Sequence, residues 1–500
     1  MFRCWFERRY QATILSANLA DNVSQPTANR SNEDMKLLFA TMVLCLTSFA
    51  LHADEPANIV LIIADDLGYG ETGMMANQEI PTPHIDALAA RGVRCTAGYV
   101  TSSYCSPSRA GIMTGRYQSR FGYDRNPVGK QNLDDSAGLP NDQTTFVRLL
   151  ADAGYKTGLV GKWHLGSTQS KRPTSRGFGS FYGFLHEGHF YVPGPPFEKV
   201  WTMVRDKTLK PGERVRKDMI VRGNYAPISE PDYNADNPVY RETETLEQFD
   251  YLTDAITDEA LSFIEEHHDK PFCLTVAYNA VHSPMQAKAS DVQTVDHISD
   301  IQRRIFAGML VALDRGVGRV SDAIETLSLT RKTLVVFVSD NGGPTQELTS
   351  SNAPLRGGKG SLYEGGIRVP MLWSMPGRIA EGKTEDRPVL SLDIAATALD
   401  LAGIEPVEGA DGQSIFSWIN DATKPSPHQT IFWRMPRDKL ALRHQDWKIV
   451  RLSAGDSVQL YHLGTDLSET KDLASQEPAM LSKLIDRWES INAQMAPETD

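Results

Sequence analysis

Cysteine is scarce in this chain. There are five in 500 residues, and two of them, Cys4 and Cys45, fall within the first fifty-three positions. The other three, Cys95, Cys105 and Cys273, are too few for a disulfide framework. No close histidine pair or cysteine cluster accompanies the acidic and amide residues at 65–66 and 340–341, so zinc is less favoured there. Internal repeats and low-complexity tracts are also missing. The longest apolar run near the start covers 37–51, too short and too poorly flanked for a stable membrane span. Positive charge is in deficit: 51 Lys and Arg against 63 Asp and Glu, a net charge of −12. That balance excludes general nucleic-acid binding, which needs a basic field against phosphates. An anionic substrate would therefore have to be met by locally concentrated cations. The remainder is ordinary for a soluble globular protein, 41% hydrophobic, 8% aromatic and 23% charged. Disordered, collagen-like and membrane-bundle classes are excluded.

Lys36 precedes the apolar stretch 37–46, and Ala53 offers a small residue before Asp54-Glu55-Pro56. This is the tripartite pattern of a signal peptide, read here as 35–53 with its start at Met35. A buried helix is the competing reading. Cys45 follows Leu44 rather than a small residue, so a lipoprotein anchor does not fit. Residues 1–34 are polar and patternless and read as a non-native upstream extension. The mature chain is expected to be exported, to a periplasm or to the medium.

Two runs, 59–64 and 334–338, are apolar on both faces, as strands covered by helices are. Helical patterns fall at 83–91, 144–153, 249–267 and 301–327, and glycine stops two of them. The fold class is α/β. Residues 178–240 mix Gly, Pro, Tyr and charges without a period and read as long surface loops with a few short elements. After residue 427 the texture changes. Strands are expected at 430–433, 440–443, 447–452 and 458–463, followed by a helix at 478–492. The division that follows is a large α/β domain at 54–427 and a small α+β domain at 428–500.

Acidic and amide side chains end the two apolar runs: Asp65-Asp66 after the first, Asp340-Asn341 after the second. Ligands of open α/β sheets bind beyond the carboxyl ends of the strands. Hard oxygen donors of this kind suit Ca²⁺ or Mg²⁺. Either pair alone reads equally well as the cap of a turn. A third segment is Cys105-Ser106-Pro107-Ser108-Arg109, running on to Gly115. Pro107 suits a first helical turn and Gly115 a stop. Cys105 then lies at a helix N-terminus, where backbone N–H groups favour anions, with Arg109 one turn on. The plainer reading is a structural cysteine before a capped helix.

This last segment resembles the C-x-P-S-R signature of the type I sulfatases, in the alkaline phosphatase superfamily. Met113 stands where leucine is usual. Five more segments resemble the family in order: Ala64 to Gly70, Gly161-Lys162-Trp163-His164-Leu165-Gly166, Ala280-Val281-His282-Ser283-Pro284, Ser339 to Gly343, and Leu355 to Gly366. The C-terminal Ala441-Leu442-Arg443 and Asp446-Trp447-Lys448 also look familial. The resemblance implies an alkaline phosphatase-like fold: a large, mostly parallel mixed sheet flanked by helices, plus a small antiparallel sheet with one helix.

The resemblance also implies roles. Asp65, Asp66, Asp340 and Asn341 would bind one Ca²⁺ together with residue 105. Cys105 would be oxidised to Cα-formylglycine by a formylglycine-generating enzyme, and its hydrate would be the nucleophile held by Arg109. Lys162 and Lys359 would bind sulfate oxygens. His164 would contact the hydrate, His282 would face the leaving oxygen, and Asp340 would act as base. His186, Glu187 and His189 fall where relatives line the substrate pocket, although ordinary loop residues are an equal reading. The implied activity is hydrolysis of a sulfate monoester on a small molecule or, more specifically, a saccharide. The block at 355–370 most resembles arylsulfatase A and N-acetylgalactosamine-6-sulfatase relatives. Two other readings stay open. One is a formylglycine-dependent phosphonate or phosphate ester hydrolase, although Asn341 replaces the histidine that a second zinc would want. The other is a non-catalytic sulfated-glycan binding protein, which would be expected to have lost one of these residues.

Overall fold

The computed structural model describes residues 56–497, apart from 194–199, 206–213, 218–219, 224–232 and 346–348. The signal-peptide reading therefore lies outside the described residues. No helix among them is long and apolar enough to cross a membrane.

A ten-stranded sheet forms the centre. Its strands are β1 (Asn58–Ala64), β2 (Val93–Cys95), β3 (Lys156–Lys162), β4 (Ser180–Phe184), β5 (Val239–Arg241), β6 (Glu244–Leu246), β7 (Phe272–Ala277), β8 (Thr333–Ser339), β9 (Met371–Ser374) and β10 (Lys383–Glu385). They lie in the order β6-β5-β4-β3-β7-β1-β8-β9-β2-β10. The five inner strands β4, β3, β7, β1 and β8 pair in parallel. Their carboxyl ends therefore share one edge of the sheet.

The alternation along β1 shows why the strand must be apolar on both faces. Val60, Ile62 and Ala64 pack with Ile256 and Phe263 of α4 (Leu252–His267) and with Leu310 and Leu313 of α5 (Ile301–Thr326). Ile59, Leu61 and Ile63 pack on the other side with residues of α2 (Cys105–Thr114), α3 (Phe146–Asp152) and α6 (Asp393–Leu401). Each such Val, Ile, Leu or Phe side chain contributes about 1.5–3 kcal/mol by leaving water. Cys95 and Cys273 are plain core residues with free thiols. The expected helices appear within a few residues of their predicted bounds, with α1 at Pro83–Ala90. Thr145 caps α3 through its side chain and Asp300 caps α5.

One expectation needs correcting. The start of the 178–240 segment is not surface loop: Ser180–Phe184 is an inner strand of the sheet. Its Gly183 adopts φ +144°, and a Cβ there would lie 1.9 Å from the carbonyl oxygen of Gly161. Close backbone approach demands the glycine, and that glycine spoils the apolar pattern that would have announced a strand.

The C-terminal sheet is antiparallel, β11 (Thr430–Met435), β12 (Lys439–His444), β13 (Trp447–Arg451) and β14 (Gln459–His462) in that order. Helix α7 (Pro478–Asn492) packs on one of its faces. The opposite face meets Tyr99, Leu362, Tyr363 and Ile367 of the larger part of the chain. Within that contact Lys448, fully buried, lies 2.8 Å from both Glu364 and Glu469. Glu364 also accepts from Tyr99 at 2.6 Å. Burial works against the Glu364 charge, but Lys448, Arg368 and Arg443 hold its carboxyl down to about 2. Replacing Lys448 by Met would leave two buried carboxylates without their shared ammonium. Breaking a buried pair on one side costs about 3–5 kcal/mol, and Lys448→Met is expected to lose that much in denaturant unfolding. A loss below about 1 kcal/mol, the scale of a surface ion pair, would contradict this account.

Candidate active site

The shared strand edge gathers residues from distant parts of the chain. Asp65 and Asp66 follow β1, and Asp340 and Asn341 follow β8. Lys162 is the last residue of β3 and His164 lies just beyond it. The turn after β7 carries His282. Cys105 opens α2, whose N-terminus faces the same edge, and Gly115 closes that helix in the left-handed conformation at φ 66°. The helix reading of the signature segment is borne out.

Three carboxylates and three cations interlock here. Lys162 Nζ donates to Asp65 at 2.6 Å. Lys359 Nζ donates to Asp66 at 2.8 Å. Arg109 Nε donates to Asp340 at 2.8 Å, and its other arm to the Lys162 carbonyl at 2.9 Å. Asn341 Nδ2 donates to Asp66 at 2.7 Å. The Cys105 sulfur lies 3.6 Å from Asp65 Oδ1 and 3.9 Å from Asp66 Oδ1. His282 Nε2 is 3.6 Å from Asp66. Asp65, Asp340 and Lys162 side chains are wholly buried, whereas Lys359 is 17% and His282 10% exposed. The cluster opens to solvent on the Lys359–His282 side.

Electrostatics divides the two aspartates. Burial, reinforced by Asp340 and opposed by Lys162 and Arg109, raises Asp65 to about 7. Burial also works against Asp66, but Lys359, His282 and Lys162 bring it down to about 2. The Cys105 thiol is pushed far above its ordinary range by burial, which Lys162 and Lys359 only partly offset. It is no thiolate, so an unmodified Cys105 is a poor nucleophile.

Both histidines are neutral. His282 falls to about 3 through burial, with Lys359 adding to the effect. Its Nδ1 lies 2.6 Å from the Ser283 carbonyl. A carbonyl only accepts, so Nδ1 carries the proton and Nε2 is bare. His164 is held well below its usual range by burial and by Lys162. Its Nε2 donates to the Pro127 carbonyl at 2.9 Å, which leaves Nδ1 as a buried acceptor without a protein partner. The Ser106 hydroxyl donates to the His164 carbonyl at 2.6 Å, which ties this residue to the start of α2.

The donor set suits a hard cation. Ligand atoms of Asp65, Asp66, Cys105 and His282 all lie within 4.8 Å of one another. Asn341 Oδ1 is buried without a partner, and burial with Asp340 beside it keeps the Asp65 carboxyl raised despite Lys162 and Arg109.

The pocket residues expected in 186–189 separate. Gly188 passes against His282, where a Cβ would lie 3.2 Å from its Nδ1. His186 and His189 are buried, and burial lowers both to about 4. His189 is stacked on Tyr233 at 5.4 Å. Glu187 is engaged elsewhere: it accepts from Gly129 N at 2.6 Å and Asn132 Nδ2 at 2.7 Å. Two residues were missed from sequence. Asn126 Oδ1 accepts from Ser106 N at 3.0 Å and so caps the start of α2. Asn279 is buried with neither side-chain amide atom partnered. Its place just past the end of β7 was the available signal.

Comparison with known proteins agrees with this geometry. The family described as Sulfatase matches residues 57–404. The family described as N-sulphoglucosamine sulphohydrolase, C-terminal, matches 358–494. Steryl-sulfatase of Homo sapiens is 32% identical over 445 residues, 76% of this chain and 72% of that protein. N-acetylgalactosamine-6-sulfatase of Mus musculus is 32% identical over 368 residues, 71% of this chain and 64% of that one. The crystal structure of Ps i-CgsB superposes with a TM-score of 0.77 at 33% identity, covering 88% of this chain and 94% of its own.

A cation that binds only the folded chain stabilises it by about 2.7 kcal/mol at a hundred times its Kd. Adding Ca²⁺ to chelator-treated protein is expected to raise the thermal midpoint accordingly, and Asn341→Ala to remove most of that rise. A midpoint indifferent to Ca²⁺ would count against a cation site.

Proposed function

The chain belongs to the sulfatase family and is a sulfuric ester hydrolase; from that premise we propose that it cleaves sulfate monoesters of a carbohydrate, with position 105 as nucleophile and one bound Ca²⁺. The observation that carries this reading is the gathering of Arg109, Lys162 and Lys359 around Cys105, in a chain whose net charge is −12. A saccharide is favoured because Ps i-CgsB was also solved with k-i-k-neocarrahexaose, at 32% identity and a TM-score of 0.77. The name N-acetylgalactosamine-6-sulfatase points the same way.

Asp65, Asp66, Asp340, Asn341 and residue 105 would hold the Ca²⁺, which supplies positive charge against a sulfuryl oxygen. Oxidised by a formylglycine-generating enzyme and hydrated, position 105 would supply one hydroxyl to attack sulfur, breaking the bond from sulfur to the alcohol oxygen, and a second whose deprotonation would expel the sulfate and restore the aldehyde. The chain's own side chains do the rest. Lys162 and Lys359 offset the charge spread over the sulfuryl oxygens, usually the largest contribution to catalysis. Arg109 holds Asp340 in place, and Asp340 takes the proton of the attacking hydroxyl. His164, with Nδ1 bare and buried, fits the later acceptance of a proton from the second hydroxyl. Lys359 fits protonation of the departing alcohol better than His282 does. Its ammonium is held charged by Asp66, whereas His282 is neutral with its proton on Nδ1. A nearby cation would depress His282 further.

Cys105→Ala is expected to abolish sulfate release, by at least about 10³-fold, with unfolding close to that of the parent. Mass spectrometry of the peptide spanning 95–109 should show aldehyde at 105 in active protein. Activity of the alanine variant, or thiol alone in active protein, would refute the role of position 105. Parallel rates on aryl sulfate, phosphate and phosphonate esters should favour sulfate; dominance of phosphonate would favour the hydrolase alternative.

A further inference from the structure

We propose that the tip of the β11–β12 hairpin, residues 436–439, is a second anion subsite that holds a sulfate group on a neighbouring unit of the same saccharide. This rests on the sulfated-carbohydrate reading above and adds to it the recognition of a second substituent.

The first argument is place. Met435 and Lys439 form the last pair of the ladder before the tip. Two contacts fasten the hairpin to the mouth of the site. Ser103 Oγ donates to Met435 Sδ at 3.0 Å, two residues before Cys105. Lys439 Nζ donates to the Gly360 carbonyl at 3.2 Å, one residue after Lys359. Gly360 N in turn donates to Ser103 O at 3.0 Å. The tip thus flanks the side on which Lys359 opens the cluster to solvent.

The second is charge. Arg437 is exposed and Lys439 half-buried. Arg451 joins them, donating to the Asp438 carbonyl at 2.9 Å. Among the described residues no carboxylate comes within ion-pair distance of Arg437, Lys439 or Arg451. Lys439 is drawn down by burial and by the like charge of Arg437. Asp438 stands between Arg437 and Lys439 in sequence but pairs with none of the three cations, so the tip carries three positive charges against one carboxylate, an excess that in an acidic chain favours an anion from outside.

The third is conformation. Arg437 and Asp438 take φ 68° and 56°, the left-handed region where hairpin tips normally carry glycine or asparagine. The turn would be easier with glycine at 437. The residue present instead supplies a planar fork of donors that matches an oxyanion bidentately.

The test uses the mature full-length enzyme and two substrates, a saccharide with one sulfate and its counterpart with a second sulfate on the adjacent unit. The quantity read is the ratio of their kcat/KM values. The parent is expected to prefer the doubly sulfated substrate, and Arg437→Gln to cut that ratio about tenfold, the worth of one charge-assisted contact, mainly through KM. Arg437→Gly removes the charge and relieves the backbone. It should lose the same preference while its thermal midpoint rises, a combination that a merely structural role would not give. A parent without preference, or variants that keep it, would overturn the subsite while leaving sulfatase activity standing. Absence of sulfate release from both substrates by the parent would instead refute the sulfated-saccharide reading, and the subsite with it.

Discussion

Mutual neutralisation of three carboxylates and three cations, out of reach of most water, is the interaction on which this structure depends. Asp65, Asp66 and Asp340 cannot be buried together unless Arg109, Lys162 and Lys359 are buried with them. Asp65 and Asp66 follow β1, Asp340 follows β8, Lys162 ends β3, Arg109 lies in the second turn of α2, and Lys359 lies in the loop before Glu364. The parallel arrangement of β3, β7, β1 and β8 is what makes the meeting possible, because it brings their carboxyl ends to one edge. The neutralisation is incomplete, however. Burial keeps the Asp65 carboxyl raised despite its pairing with Lys162, and Asn341 Oδ1 remains without a partner. That residual demand is what gives the cluster a use beyond holding itself together.

Much of this was legible in the sequence, for physical reasons. Strands β1 and β8 are buried on both faces and so had to be apolar throughout, and acids directly after such runs stand out. Helix α2 carries Pro107 within its first turn and a glycine at its stop. What escaped was set by tertiary contact. Strand β4 was hidden by Gly183, required by the Gly161 backbone rather than by anything local. Glu187 looked available for a ligand, but its carboxylate is taken by Gly129 and Asn132, over fifty residues away. Lys448 stood within a familial stretch, yet no spacing could reveal its pairing with Glu364, eighty-four residues off. The neutrality of His164 and His282 belongs to burial and to nearby lysines, which no pattern of letters encodes.

The C-terminal sheet takes part in the site through its contact with the segment that carries Lys359. Glu364 is pinned by Lys448, Tyr99 and Arg368, and the loop before it returns to the strand edge through Lys359 N and the Gly343 carbonyl at 3.3 Å. A residue partly open to solvent at the mouth needs such anchoring, since a lysine side chain is otherwise free to sample many rotamers.

The central position of β1 has a consequence for how the molecule fails. It is hydrogen-bonded to β7 on one side and β8 on the other, and covered by helices on both faces. Segments held in this way open only when the whole structure opens. The two acids that follow β1 therefore have no low-energy fraying motion through which to drift apart. Amide hydrogens of 58–64 would exchange at the rate of global unfolding, and thermal inactivation at this edge would coincide with loss of the fold.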